Sequence, residues 1–409
     1  MKIGVLTYHC VPNFGAQLQA TSTIGYIRRM GHEAVVLHWY PKDLEEMYAK
    51  RIPAEQIEAH NAYTRNVLPI TAICRTEDDL LRVIADNNLD AIIVGSDALF
   101  KYIPENLRKR LYKRKLRYIY RTVLSVEVLE GNPFFGGFIE RLNRKIPVIA
   151  FSVSSQNCPY HEMKKGEKSL MKEAMKHFSF ITVRDEWTKN MVESILECSN
   201  IKITPDPVFS FNQNCYFDLP TKEELIKKFK LADKYVLISF STWYNTESYI
   251  HELALEVKRQ GYLPVAFPMP EGLNAAGIET QIPLPLDTLE WYALIKYAAG
   301  YIGERMHPIV VCLHNIVPFY SFDEYGTYQK KWYKSKSEYI KSSSKTYRIL
   351  QRAGLTEWMF SYKDEIPLPQ PKLVVEKLES FDKLKCSDFA QSYQQIYEES
   401  MAEELKVLD

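Results

Sequence analysis

The chain has 409 residues, 46% of them hydrophobic and 25% charged, with 52 basic against 51 acidic side chains. This is ordinary globular composition, long enough for two domains of roughly 200 residues, and its balanced charge gives no global field that favours or rejects nucleic acid. The seven cysteines, Cys10, Cys74, Cys158, Cys198, Cys215, Cys312 and Cys386, are scattered without a CxxC pair, which argues against a zinc cluster or a disulfide framework and for a reducing compartment.

The chain opens "MKIGVLTYHC", with no apolar run long enough for a signal peptide or a spanning helix, so a soluble, cytoplasmic protein is expected. "KIGVLTY" reads as a first strand, followed from Asn13 by a helix that stops at Gly31. "EAVVLHW" is the next strand, and Lys42 to about Thr71 reads as polar and irregular. "TEDDLLRVIADNNL" is a helix leading into the strand "DAIIVGSD", and "PVIAFSVSS" and "FITVRD" are two more strands. Strands apolar on both faces that alternate with helices imply a parallel sheet covered on each side. "TPDPVFSFNQNCYFDLP" interrupts this pattern with three prolines, and "KYVLISFS" starts a second unit that runs through "YLPVAF", a helix around "LEWYALIKYAAG", and "VPFYSF".

The expected architecture is therefore α/β, with two doubly wound, Rossmann-like domains facing a cleft. Residues 1–215 form the first and 222–345 the second; residues 346–409 form a helical segment expected to pack back on the first. Ligands in such sheets bind at the carboxyl ends of the strands. No internal repeat or low-complexity segment is present.

The most apolar stretch of the second half, Tyr297 to Tyr320, carries Glu304, Arg305 and His307. A buried charge without a partner costs ~several kcal/mol, so these groups must be paired internally or held out for a ligand. Asp287 is expected to cap the preceding helix with Glu290 completing a capping box, Gly300 to end it, and "YIG" to form a short strand. Arg305 and His307 then fall at a helix start whose first turn suits Pro308, a natural anion site. The alternative is an internal Arg305 pair with Glu304 or another carboxylate, and a satisfied core histidine.

Three strand ends of the first unit carry further candidates: Asn13, Gly15, Gln17 and Gln19 after the first strand, Ser96 and Asp97 in "VGSD", and Ser152 in "FSVSS". Asn, Ser and Asp are also simply good caps and turn formers. No GxGxxG, GxxxxGK[ST], HExxH, GxSxG or paired-carboxylate pattern occurs.

"GVLTYHCVPNFGAQLQA", "DAIIVGSDALF", "FSVSS", "TVRDEWT", "PDPVF", "LEWYALIKYAAGYIGERMH" and "VPFYSF" occur in the order seen in polysaccharide pyruvyl transferases, which the chain resembles from residue 3 to about residue 325. The resemblance implies a GT-B-like fold. It also implies transfer of an enolpyruvyl group from phosphoenolpyruvate to a sugar, closing a pyruvate ketal on two hydroxyls, in capsular or exopolysaccharide biosynthesis. Under it Arg305, Met306, His307 and Arg184 would bind the donor, and Asn13, Gln17, Ser96, Asp97 and Ser152 would face the acceptor. His307, Glu304 and Asp206 would be the acid and base groups, with Asp97 a further candidate. Some family members carry a functional lysine some twenty residues after the histidine, where Lys330 and Lys331 are the nearest candidates here. No residue cluster implies a metal or organic cofactor.

Two other readings remain open: a GT-B nucleotide-sugar glycosyltransferase, which would need a base and ribose pocket, and a non-catalytic carbohydrate-binding assembly protein. Separately, "LRKRLYKRKLRYIYR", Leu107 to Arg121, reads as a basic amphipathic helix with Leu107, Leu111 and Tyr118 on one side. It is either a solvated helix or a peripheral contact with anionic lipid near a lipid-linked acceptor.

Overall fold

The computed structural model describes residues 1–112, 117–120, 122–241, 245–330, 337–364 and 366–408, without the side chains of 109–112, 117–120, 329, 330 and 337. Its strands are β1 (Lys2–Leu6), β2 (Glu33–Val36), β3 (Ala91–Asp97), β4 (Lys109–Tyr112), β5 (Arg117–Tyr120), β6 (Val148–Val153), β7 (Phe180–Val183) and β8 (Lys202–Ile203). They continue with β9 (Tyr235–Ser239), β10 (Leu263–Ala266), β11 (Thr280–Gln281), β12 (Gly300–Gly303), β13 (Phe319–Asp323), β14 (Thr327–Lys330), β15 (Ser337–Ile340) and β16 (Met359–Ser361).

Two six-stranded sheets organise the chain, in the orders β2-β1-β3-β6-β7-β8 and β11-β10-β9-β12-β13-β16. Every pair within them is parallel, as in Ile3 opposite Ala91 and Gly300 opposite Val236. Both orders are doubly wound and reverse direction beside the sheet's first strand, with one strand (β2) beyond β1 in the first sheet and two (β10 and β11) beyond β9 in the second. The all-buried strand β3, "AIIVGSD", shows why the sequence builds this: side chains on both faces need cover, which helices supply.

The helix Phe14–Arg29 joins the halves. Its Ala20, Ile24 and Ile27 pack on the first sheet with Ile3 and Val5, whereas Phe14 and Leu18 belong to the second unit's core with Trp291 and Ile309. Phe14 stacks on Trp291 at 5.1 Å between ring centroids. The last helix, Lys383–Leu408, also bridges: Cys386 and Phe389 enter the second core, and Tyr397, Met401, Leu405 and Leu408 cover the first sheet.

Several local expectations are corrected. The stretch from Lys42 to Thr71 is largely helical, over Lys42–Ala49 and Ala54–Val67, with Pro41 and Pro53 just ahead of the two helices rather than breaking them. Within Leu107 to Arg121, β4 and β5 pair as an antiparallel hairpin instead of a helix; residues 113–116 and 121, and the side chains from 109 on, lie outside the described residues. The segment expected to be helical from residue 346 on carries the helices Lys345–Arg352, Pro371–Glu379 and Lys383–Leu408, but also β16, which adds an edge to the second sheet. Gly300 starts β12 rather than ending a helix, since Tyr297 already caps the helix Thr288–Lys296. Asp287 does accept from the Leu289 and Glu290 amides, but the Glu290 side chain pairs with Lys228. Among the described residues, no helix is long and apolar enough to cross a membrane.

Candidate active site at the carboxyl ends of the sheets

β12 ends at Gly303, and the chain turns through Glu304 and Arg305 into the helix Met306–Asn315. Arg305 holds φ at 79°, a conformation that side-chain-bearing residues rarely adopt. Asp97 at the end of β3 has φ 92°. Such outliers persist only where the surroundings over-determine them, and they gather at functional sites.

Between the two sheets lies a cleft of about 120 Å³. Asn13 and Gly15 from the first unit face Arg305, Met306 and His307 from the second, and Lys345 closes one side. The Gly15 position shows how tight this junction is: a Cβ built there would lie 2.0 Å from His307 Cγ. The glycine permits a close approach, here by a histidine of the same chain.

Positive charge converges on this cleft. Lys345 follows Ser344, the cap of the helix Lys345–Arg352, and Ser344 is tied to Asp323 at the end of β13 by a 2.6 Å bond. Burial first, then the neighbouring Arg184 and Arg305, bring the Lys345 amine down to about 8 against the opposing pull of Asp97 and Asp323. Arg184 is buried and bonded to Asp206 at 2.6 Å, while its Nε and Nη2 have no hydrogen-bond partner. Arg305 bonds Glu271 at 2.9 Å, yet both side chains remain about two-fifths exposed, at 40% and 42%, and Arg305 Nε is unpartnered. The Arg305–carboxylate pair weighed from the sequence therefore exists, but on the cleft rim.

His307 is buried, with an unpartnered Nε2. Burial pulls its pKa down to about 4 against the opposing pull of Asp97 and Asp206, so the ring is neutral at neutral pH. Burial alone would raise the Asp97 carboxyl, but His307, Arg184 and Lys345 hold it below its usual value. A neutral imidazole between a carboxylate and several cations can accept a proton from a hydroxyl.

Of the residues singled out from the sequence, Asn13, Arg305, Met306 and His307 line the cleft, and Arg184 and Asp97 lie close enough to shift the groups that line it. The others are engaged elsewhere. The Glu304 carboxylate accepts from the Ser241 amide and the Tyr362 hydroxyl, each at 3.0 Å, and burial raises its pKa. Asp206 accepts from Arg184, from Gln19 and from the Val208 amide. Gln17 does not reach the cleft: its amide donates to the His60 carbonyl and Thr64 hydroxyl and accepts from Thr288. Ser96 bonds the Asp97 amide and Gln19, and Ser152 donates to the Thr204 and Pro205 carbonyls. Their amide and hydroxyl groups serve the fold because each is wholly enclosed by neighbouring segments.

Lys345 is the residue the sequence reading missed. Lys331 and the Lys330 side chain lie outside the described residues, and Lys345 stands 38 residues after His307 rather than some twenty. The one local signal was Ser344 as a helix cap; what brings Lys345 to the end of β13 is the Ser344–Asp323 bond, made only after β14 and β15 have intervened in the chain.

The polysaccharide pyruvyl transferase family model matches residues 13–324. No curated protein sequence gives a significant match. Solved structures similar to the chain include the spinosyn forosaminyltransferase SpnP, at 9% identity and TM-score 0.50 over 100% of both chains. The UDP-GlcNAc 2-epimerase from Methanocaldococcus jannaschii is 10% identical, with TM-score 0.51 over 93% of this chain and 92% of that one. Arabidopsis thaliana UGT89C1 complexed with UDP is 10% identical, with TM-score 0.51 over 98% of each. At such identities the likeness is one of fold: two facing doubly wound units of the GT-B type.

Proposed function

Since the chain belongs to the polysaccharide pyruvyl transferase family, we propose that it moves the enolpyruvyl group of phosphoenolpyruvate onto two hydroxyls of a sugar, in capsular or exopolysaccharide biosynthesis. The observation that carries this reading is the convergence of Arg184, Arg305 and Lys345 around His307 at a small cleft. A donor with a phosphate and a carboxylate needs several preset cationic donors in little space. The planar fork of Arg305 suits the carboxylate, and Arg184 and Lys345, deeper in, suit the phosphate. The acceptor sugar, free or lipid-linked, enters from the Asn13 side.

In the reaction a proton adds to the donor's methylene carbon, a sugar hydroxyl adds to the adjacent carbon and gives up its proton, and the bond to phosphate breaks. A second hydroxyl then closes the ketal, and its proton is released. Neutral His307 takes the hydroxyl proton, and Asp97 beside it stabilises the resulting imidazolium. Glu304 and Asp206, engaged in hydrogen bonds, position the walls of the cleft rather than touching substrate.

Calorimetric titration of the purified chain with phosphoenolpyruvate, and separately with nucleotide sugars, tests this reading. Saturable binding of phosphoenolpyruvate that is lost in Arg305→Ala supports it. Binding of a nucleotide sugar alone favours a glycosyltransferase and overturns it, and binding of saccharide with no donor of either kind favours a carbohydrate-binding protein.

A further inference from the structure

The loop leaving β1 brings His9 and Cys10 against His38, which follows the end of β2. His9 Nε2 lies 2.8 Å from His38 Nδ1, and a ring nitrogen of each histidine and Cys10 Sγ all lie within 4.8 Å of one another. We propose that His9, Cys10 and His38 form a binding site for one zinc ion.

The His9 ring is already oriented for this. Its Nδ1 lies 2.9 Å from the Thr7 carbonyl oxygen, which only accepts, so Nδ1 carries the hydrogen and Nε2 offers a lone pair. A backbone carbonyl on the far ring nitrogen is the usual support of a metal-bound imidazole. Cys10 Sγ donates to the Trp39 carbonyl at 3.3 Å, and that thiol proton is released when the sulfur coordinates. Two imidazoles and a thiolate suit a borderline-soft cation, with bonds of about 2.0–2.1 Å to nitrogen and about 2.3 Å to sulfur. Seating the ion opens the present imidazole contact by roughly half an ångström. Three protein ligands leave a fourth position for water, and the partly exposed His38 marks the way in. The charged groups facing the cluster, Glu45 and Arg75, pair with each other at 2.5 Å and so add little net charge.

The site would act as a positioning clamp. Pro12 and Asn13, which follow Cys10 after a single residue, Val11, line the cleft, and an ion would tie their loop to the end of β2. The cysteine spacing that argued against a zinc cluster considered cysteine pairs alone. Here an adjacent His-Cys pair and a histidine 28 positions on meet because β1 and β2 run parallel.

The test uses the purified chain, stripped with chelator and titrated with cobalt as a spectroscopic stand-in and with zinc against a competing dye. The expected result is one equivalent bound, with a near-ultraviolet thiolate-to-cobalt band that Cys10→Ser abolishes and an affinity that His38→Ala lowers at least ~tenfold. Circular dichroism confirms that each variant is folded, and should Cys10→Ser fail to fold, loss of the band in His38→Ala is read instead. Absence of stoichiometric binding, or a band that survives in the folded variants, overturns the proposal.

Discussion

Gly15→Ala tests the cleft at its tightest contact. The added methyl would lie 2.0 Å from His307 Cγ, 2.2 Å from Nδ1 and 2.5 Å from Cδ2. Ordinary contact begins at 3.4 Å, so the ring or the helix Phe14–Arg29 must retreat by about 1.4 Å. Overpacking of this kind costs ~1–3 kcal/mol, and replacing glycine within a helix returns ~1 kcal/mol, so the net loss of stability should be only ~0–2 kcal/mol. The effect on turnover should be larger, because a misplacement of about 1 Å costs ~100-fold in rate. The assay is phosphate release from phosphoenolpyruvate in the presence of sugar acceptor, alongside a thermal melt. Adding Gly15→Ala to His307→Ala should reduce turnover no further, since the two act through one contact. A single variant that melts normally and keeps turnover within about threefold of wild type would refute the assignment of His307 to the chemistry.

Lys345→Met should weaken donor binding ~10–100-fold, the loss of one charge-assisted bond of ~1.5–3 kcal/mol, read by calorimetry. In the wild type, Lys345 loses its proton near pH 8, so donor affinity should fall as pH rises above about 8, and Lys345→Met should flatten that limb. The fold lowers this pKa from 10.5 to about 8, so the unfolded chain holds the extra proton in that window. The Lys345 contribution to stability therefore rises with pH between those values while donor affinity falls; a wild-type affinity constant across the window would count against the lysine. Arg305→Lys should leave the melting temperature nearly unchanged, because its partner Glu271 is half exposed. Phosphoenolpyruvate should raise the melting temperature of the wild type but not of that variant; equal shifts in the two would remove Arg305 from the donor site. Gln17→Ala should destabilise the fold by ~1–3 kcal/mol, through the groups left unpaired on Thr288 and Thr64, without a specific change in the Michaelis constant for the sugar; a selective rise in that constant would return Gln17 to the acceptor site.

The sheets were legible in the sequence because their strands are apolar on both faces and separated by helices, a pattern that "DAIIVGSD" and "KYVLISFS" carry without tertiary context. The two helices after Pro41 were not, because proline at a helix start and proline in a loop look alike locally. Arg305 and His307 could be found from their place in an apolar run, which leaves few innocent reasons for charge. Gln17 and Ser152 misled for the converse reason. Amides and hydroxyls serve ligands and buried backbone equally well, and only the approach of His60, Thr288 or Pro205, each distant in the chain, decides between them. Lys345 was hidden because its position depends on the hairpin of β14 and β15 before it, whose length no local pattern sets.

The bridging helix Lys383–Leu408 bears on how the protein is made. The first sheet is complete once β8 has emerged, but the face carrying Ile3, Val5, Ile24 and Ile27 waits for Tyr397, Met401 and Leu405. At ~5–20 residues per second, that apolar face goes without its final cover for roughly 10–40 s of synthesis. Chaperone dependence during translation should accordingly track the last helix: a chain halted before Tyr397 should be held by a chaperone, and a chain that has cleared the ribosome past Leu408 should be released.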